Sequence, residues 1–150
     1  MTRTLDVQRV TAVDAGIGWD AVRVSTDMGR HLRRTMICRG KRTGPILVES
    51  ARGLMYFFVP AGSLDGESLP GVVVLGEGSC VVAPPYEAAE GQAPYGLAWA
   101  HSPLSVGPGP GRYADAAGLV AAVELAHQWG VAPGEADAAQ GSSASAGRVS

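Results

Sequence analysis

A chain of 150 residues, 46% of them hydrophobic, is long enough to fold as one compact domain. Its 12 basic and 14 acidic residues give a formal net charge of −2, so the protein has no overall positive field to attract nucleic acid or anionic lipid. Any such attraction must come from a local cluster of charge.

The chain shows no membrane or export signal. Its longest uninterrupted apolar run is only a handful of residues, and the N-terminal sequence MTRTLDVQRV lacks the apolar segment of a secretory signal. We therefore expect a cytoplasmic protein that does not bind a membrane.

Two cysteines, Cys38 and Cys80, stand far apart in the sequence, and neither belongs to a CxxC or Cys/His pair at metal-ligand spacing. We expect two isolated thiols, buried or half-buried, rather than a disulfide or a metal site.

The first 50 residues predict two strands with a helix between them. Residues 1–16 fit either a short helix or a frayed strand, whereas WDAVRV at 19–24 is typical of a strand. The polar residues after it supply an N-cap for a helix over 26–38 that ends at Gly40. Met28, Leu32 and Met36 would form its apolar face. A second strand is predicted at 45–49.

The stretch from Gly53 to Pro85 holds the densest strand-forming sequence and should form the core of a sheet. It predicts strands at 54–59, 72–75 and 79–83, separated by glycine and proline. Its sequence Gly76-Glu77-Gly78 invites comparison with a nucleotide-binding loop, but a strand follows it instead of a helix. We expect a hairpin turn there.

The last third predicts one strand, one helix and a tail. A strand at 95–100 places Trp99 at an edge of the core, and the proline- and glycine-rich residues 106–111 form a linker. An alanine-rich helix is predicted over 113–129. Residues 132–150 carry almost no large apolar side chain, so we expect a disordered tail.

Together these elements predict a single α+β (or α/β) domain over residues 1–131. It has a central mixed, mostly antiparallel sheet and two main helices.

No complete catalytic constellation is visible. His31 belongs either to a solvated basic face or to a phosphate-contacting patch. His101 lacks an identifiable partner for general-base chemistry, and His127 suits the C-terminal end of a helix. The sequence Asp65-Gly66-Glu67 is better explained as a solvated loop than as a metal site.

One segment concentrates positive charge. Five of the chain's 12 basic residues lie within ten positions, and no Asp or Glu occurs between Gly29 and Gly44. These five residues, called the basic segment below, are Arg33, Arg34, Arg39, Lys41 and Arg42. They form either a nucleic-acid-binding surface or a solvated helix end, where basic side chains are favoured by the helix dipole.

A family resemblance rests on LMYFFVP at Leu54 to Pro60, on LPGVVVLGEGSCVVAPP at Leu69 to Pro85, and on the later aromatic residues Tyr95 and Trp99. This part, about a third of the chain, resembles the later half of the bifunctional DNA primase/polymerase N-terminal (prim-pol) domain. The chain looks like a short, degenerate, actinobacterial-type member of that family.

The departures from the family pattern concern the active site. The position of the family's catalytic histidine falls on Leu54, that of a metal-binding aspartate on Val73, and that of a neighbouring arginine on Leu75. The first acidic motif retains at most Glu49. Nucleotidyl transfer needs carboxylates that hold divalent metal ions, and apolar side chains cannot supply them.

The resemblance therefore implies a non-catalytic relative with no metal or cofactor, which binds nucleic acid or a replication partner. One alternative is a protein-interaction or regulatory module that binds no nucleic acid. The other is a residual nucleotidyltransferase that uses Glu49 and substituted ligands.

Overall fold

The structure, a computed structural model, describes residues 11–16, 18–84, 96–103 and 110–130. The strands within these ranges are β1 (Thr11–Asp14), β2 (Trp19–Ser25), β3 (Ile46–Glu49), β4 (Leu54–Pro60), β5 (Val73–Leu75), β6 (Cys80–Ala83) and β7 (Leu97–His101). The helices are α1 (Thr26–Cys38) and α2 (Ala116–Gln128), with short 3-10 turns at Ser50–Arg52 and Pro110–Arg112.

Five strands form the main sheet in the order β5-β2-β4-β3-β7, and β1 and β6 form a separate two-stranded ribbon. Each strand pair in the described part of the chain is antiparallel. The predicted α+β domain, with a mostly antiparallel sheet and two main helices, is confirmed.

The central strand β4 is buried on both faces, because helices cover one side of the sheet and the ribbon covers the other. Met55, Phe57 and Val59 pack in the cluster that includes the helices. Tyr56 and Phe58 pack with the ribbon residues of the opposite cluster. This alternation follows from the two-residue period of a strand, and it explains why LMYFFV is apolar throughout.

The helix α1 forms as its sequence predicts. Ser25 is the N-cap, and its Oγ accepts a hydrogen bond of 3.1 Å from the backbone N–H of Met28. Met28, Leu32 and Met36 are fully buried on one face, which packs on the sheet. Thr35 lies on the same face and is also buried.

The helix α2 packs beside α1 and covers the same face of the sheet. It begins at Ala116, three residues later than predicted, because Asp115 is its N-cap and accepts a hydrogen bond from the N–H of Gly118. Its buried face includes Leu119 and Val123. The polar cap therefore fixes the start of the helix more closely than alanine content does.

The predicted hairpin between β5 and β6 is wrong. The turn exists, because Ser79 N donates to Gly76 O at 3.0 Å and Gly78 has a φ of 92°. The strands beside it nevertheless separate: β5 pairs with β2 in the main sheet, and β6 pairs with β1. The strand alternative is the one that holds for the described part of residues 1–16.

The expected burial of the two cysteines is also wrong, since both are free and exposed. Cys80 begins β6, whose buried side chains are Val81 and Ala83, so the alternation of the strand exposes Cys80. Cys38 is the last residue of α1 and does not belong to that helix's buried face.

Some predictions fall outside the described residues. These are the tail at 132–150, residues 1–10, Tyr95 and most of the linker at 106–111. Neither α1 nor α2 has the length and apolar character needed to cross a bilayer.

Candidate functional site

A polar cleft of about 320 Å³ opens between the main sheet and β6, on the sheet face that the helices leave uncovered. Its charged lining residues are Arg23, Glu49 and Arg52, and Tyr56 adds a phenol hydroxyl. The other lining residues are Leu75, Ser79, Cys80, Val81, Val82 and Leu97.

Strand register brings the polar groups to one face. Arg23 on β2 lies directly opposite Tyr56 on β4 and, on its other side, opposite Val73 on β5. Glu49 on β3 lies opposite Leu54, two residues before Tyr56 on the same strand. Since directly opposed residues and alternate residues share a face, all five side chains lie on one side of the sheet.

Glu49 is held by two neighbours. Tyr56 Oη donates a hydrogen bond of 2.8 Å to Glu49 Oε1, and Arg52 Nη1 lies 3.4 Å from Glu49 Oε2. Burial, together with the hydrogen bond to Glu49 and the negative charge of that carboxylate, raises the pKa of Tyr56 to about 12. The phenol is therefore a neutral donor at physiological pH, and each carboxylate oxygen of Glu49 already has a partner.

Arg23 has no comparable partner within the part of the chain that the structure describes. Its side chain is half-buried, and its Nε is buried without a hydrogen-bond acceptor among the described residues. Buried polar groups in proteins are nearly always paired, so an unpaired guanidinium nitrogen beside a cleft is unusual. The cleft holds two guanidinium groups against one carboxylate, which gives it a local positive charge.

The positions implied by the prim-pol resemblance lie on this same face. Leu54 is fully buried, Val73 is half-buried, and Glu49 lines the cleft. Within the described ranges, no three His, Cys, Asp or Glu side chains come together in a group that could hold a metal ion. Of the positions that the resemblance assigns to catalysis, Glu49 is the one with an acidic side chain. Its carboxylate is already hydrogen-bonded to Tyr56 and ion-paired with Arg52.

The basic segment lies elsewhere. Arg34, Arg39, Lys41 and Arg42 are exposed, and Arg33 is half-buried. The structure brings two of them together at the start of α2. Arg42 Nε donates a hydrogen bond of 3.4 Å to Tyr113 O, and the Lys41 side chain lies over Gly118, where an added Cβ would meet Lys41 Cγ at 3.0 Å.

Arg33 and Arg34 are consecutive on α1, so their side chains point about 100° apart around the helix. Because α1 covers the helix side of the main sheet, both are separated from the cleft by the sheet itself. The basic segment and the cleft are therefore distinct features, since none of the five basic residues lines the cleft.

The three histidines have structural partners. The His31 ring packs edge-on against Trp129 with centroids 5.2 Å apart, and its Nε2 is buried without a hydrogen-bond partner among the described residues. His101 Nδ1 donates to Gly44 O at 2.9 Å, and His127 Nε2 donates to Pro70 O at 2.8 Å. The ring of His101 is thus held by the backbone before β3.

A second pocket, near Trp19, Phe58, Trp99 and Tyr113, has a volume of about 40 Å³. This is room for about one or two water molecules, so we assign the pocket to aromatic packing in the core. Trp99 is 2% exposed on the edge strand β7, as its predicted place at an edge of the core requires.

Sequence reasoning missed Arg23, Arg52 and Tyr56 as site residues. A signal was present for two of them: Arg23 is one of two charged residues, with Asp20, within the strand WDAVRV, and Tyr56 is the residue with a hydroxyl within LMYFFVP. A charge inside a predicted central strand needs a partner or a ligand, whichever face it occupies. Arg52 gave no such signal, since its place depends on the turn that precedes β4.

No protein-family model matches the sequence, and comparisons with curated proteins and with solved structures find no match either.

Proposed function

We propose that this protein is a non-catalytic relative of the prim-pol domain that binds nucleic acid through its basic segment. The observation that supports the proposal is that the positive charge of the basic segment is not neutralised by acidic side chains among the described residues. No acidic side chain among the described residues pairs with any of the five basic residues, and four of the five are exposed. Exposed, unpaired lysine and arginine side chains are the groups that contact phosphates.

The absence of catalysis is supported by the cleft face. Metal-dependent nucleotidyl transfer requires several carboxylates on one site, and here Val73 and Leu54 occupy two positions that the family resemblance assigns to catalysis. Glu49, the acid that remains there, is engaged by Tyr56 and Arg52. This arrangement favours binding without chemistry.

A second candidate, binding to a replication protein, is favoured by exposed apolar side chains near the same charges. Ile37 is 57% exposed and lies one helical turn after Arg33 and Arg34. Trp129, at the end of α2, is 64% exposed. Exposed apolar and arginine side chains together are typical of protein interfaces.

Fluorescence anisotropy with labelled single-stranded DNA, duplex DNA and RNA at about 50 mM salt tests the first candidate. Reversal of Arg33 and Arg34 to Glu should weaken binding by a similar factor for all sequences and leave thermal stability nearly unchanged. In the single variant Arg34→Gln, the slope of log affinity against log salt should fall by about one.

The matched control is Arg52→Gln, which removes one charge from the opposite face of the sheet. It should leave the slope unchanged. If the unaltered protein binds none of the three nucleic acids at low salt, the nucleic-acid proposal fails, and the protein-partner candidate takes its place.

A further inference from the structure

We propose that the cleft between the main sheet and β6 is a binding site for a small organic monoanion, a carboxylate with a short apolar body. This inference goes beyond the proposed function, because none of the five residues of the basic segment lines the cleft. Its test uses no nucleic acid, so the two proposals can fail independently.

The unpaired donor is the first argument. Arg23 lines the cleft, and its Nε is buried without an acceptor among the described residues. A guanidinium presents its N–H groups in a planar fork that matches two oxygens of one carboxylate. A carboxylate in the cleft would give the Arg23 guanidinium an acceptor that the described residues do not provide.

The charge balance sets the ligand's charge. Arg52 is paired with Glu49, and Arg23 supplies one further positive charge to the cleft. One negative charge on the ligand would neutralise it. A polyphosphate would instead bring several negative charges close to Glu49, whose repulsion would have to be offset by cations that the described residues do not supply.

The apolar side chains that line the cleft indicate that the ligand has an apolar body. Leu75, Val81 and Leu97 line the cleft beside the charged groups. A volume of about 320 Å³ is several times that of an inorganic anion and reaches the lower end of the range for small-molecule pockets. An aliphatic group on the ligand would cover these side chains.

Isothermal titration calorimetry with 4-methylpentanoate tests the proposal, with its neutral amide and inorganic phosphate as comparisons. The carboxylate should bind with a Kd of about 1 mM or tighter, which is reasonable for a ligand of this size. The amide should bind at least tenfold more weakly because it lacks the charge. Phosphate should also bind more weakly, because it lacks the apolar body. Phosphate that binds more tightly than the carboxylate would overturn the proposal.

Variants identify the group that binds. Arg23→Met should weaken carboxylate binding by roughly tenfold or more, since a hydrogen bond to a charged group is lost. Arg23→Lys keeps the charge but not the fork and should cause a smaller loss. The control Arg30→Met removes an exposed arginine from α1, on the other side of the sheet, and should bind as the unaltered protein does. Equal affinity in all three variants would overturn the proposal.

Discussion

Gly29 of α1 lies directly against Met55 of β4, and a Cβ added at Gly29 would lie 2.9 Å from the Met55 Cβ. Real Cβ atoms do not approach each other this closely in a packed core. Because residue 29 has no side chain, α1 can lie this close to β4, and the Met55 side chain occupies the space where a Cβ of residue 29 would be.

Gly29→Ala should accordingly destabilise the protein by about 1–3 kcal/mol through overpacking, although alanine has the higher helix propensity. The matched control is Gly118→Ala on α2, where the new Cβ would meet the flexible side chain of Lys41 at 3.0 Å. That change should alter the unfolding free energy by less than about 1 kcal/mol. Urea unfolding measures both, and equal losses would contradict the close contact at Met55.

Tyr56 should make stability depend on pH at the alkaline end. Its pKa is raised from 10.0 to about 12 by burial and by Glu49, so between these values the folded protein keeps a proton that the unfolded chain has lost. This contribution is fully present below pH 10 and is lost as the pH rises through 12. Chemical unfolding at pH 9 and pH 11.5 should show a smaller fall for Tyr56→Phe than for the unaltered protein. An identical fall would show that Tyr56 ionises as freely as in the unfolded chain.

Arg23→Met should not destabilise the protein. It replaces a half-buried guanidinium, whose Nε lacks a partner among the described residues, with an unbranched apolar side chain. Removing an unsatisfied buried donor should leave the unfolding free energy unchanged or raise it by about 1 kcal/mol. For comparison, Arg112→Met removes a guanidinium that lies over the Tyr113 ring at 5.3 Å, and it should lower stability by about 0.5 kcal/mol. A larger loss at Arg23 than at Arg112 in thermal unfolding would argue against this view of the site.

Divalent metal ions should not stabilise the fold. A ligand that binds the folded state raises stability in proportion to the logarithm of its concentration over its Kd, so a tight site would raise the Tm at millimolar Mg²⁺ or Mn²⁺. With Glu49 engaged by Tyr56 and Arg52, we expect no such rise in differential scanning fluorimetry. A clear rise that disappears in Glu49→Ala would instead support the residual nucleotidyltransferase.

The helices and strands could be predicted from the sequence where the local residue pattern determines them. The buried stripe of α1 follows from the spacing of Met28, Leu32 and Met36, and the continuous apolar run of β4 follows from burial on both faces. Strand partners could not be read in the same way. The turn at Gly76–Ser79 is compatible with a hairpin between β5 and β6. The two strands do not pair with each other, because β5 pairs with β2 and β6 pairs with β1, and both partners are distant in the sequence.

The candidate site was harder to predict than the fold for a related reason. Arg23, Glu49 and Tyr56 belong to three strands, and they meet because β2, β4 and β3 are neighbours in a particular register. A shift of one residue in that register would turn each side chain to the other face. Register depends on contacts between distant parts of the chain, which a single sequence does not display.

The ribbon of β1 and β6 has a consequence for the order in which the protein folds and opens. Its two strands pair across about seventy positions of the chain, so closing it costs more entropy than closing the shorter connections inside the main sheet. A two-stranded ribbon is also marginal by itself and depends on the surface beneath it. We expect the ribbon to form last and to detach first, so that amide hydrogens of β1 and β6 exchange with solvent sooner than those of β2 and β4. Because β6 forms one wall of the cleft, this wall would detach more easily than the rest of the protein. A small molecule could then enter the cleft while β6 is transiently detached, and the main sheet and the helices would stay in place.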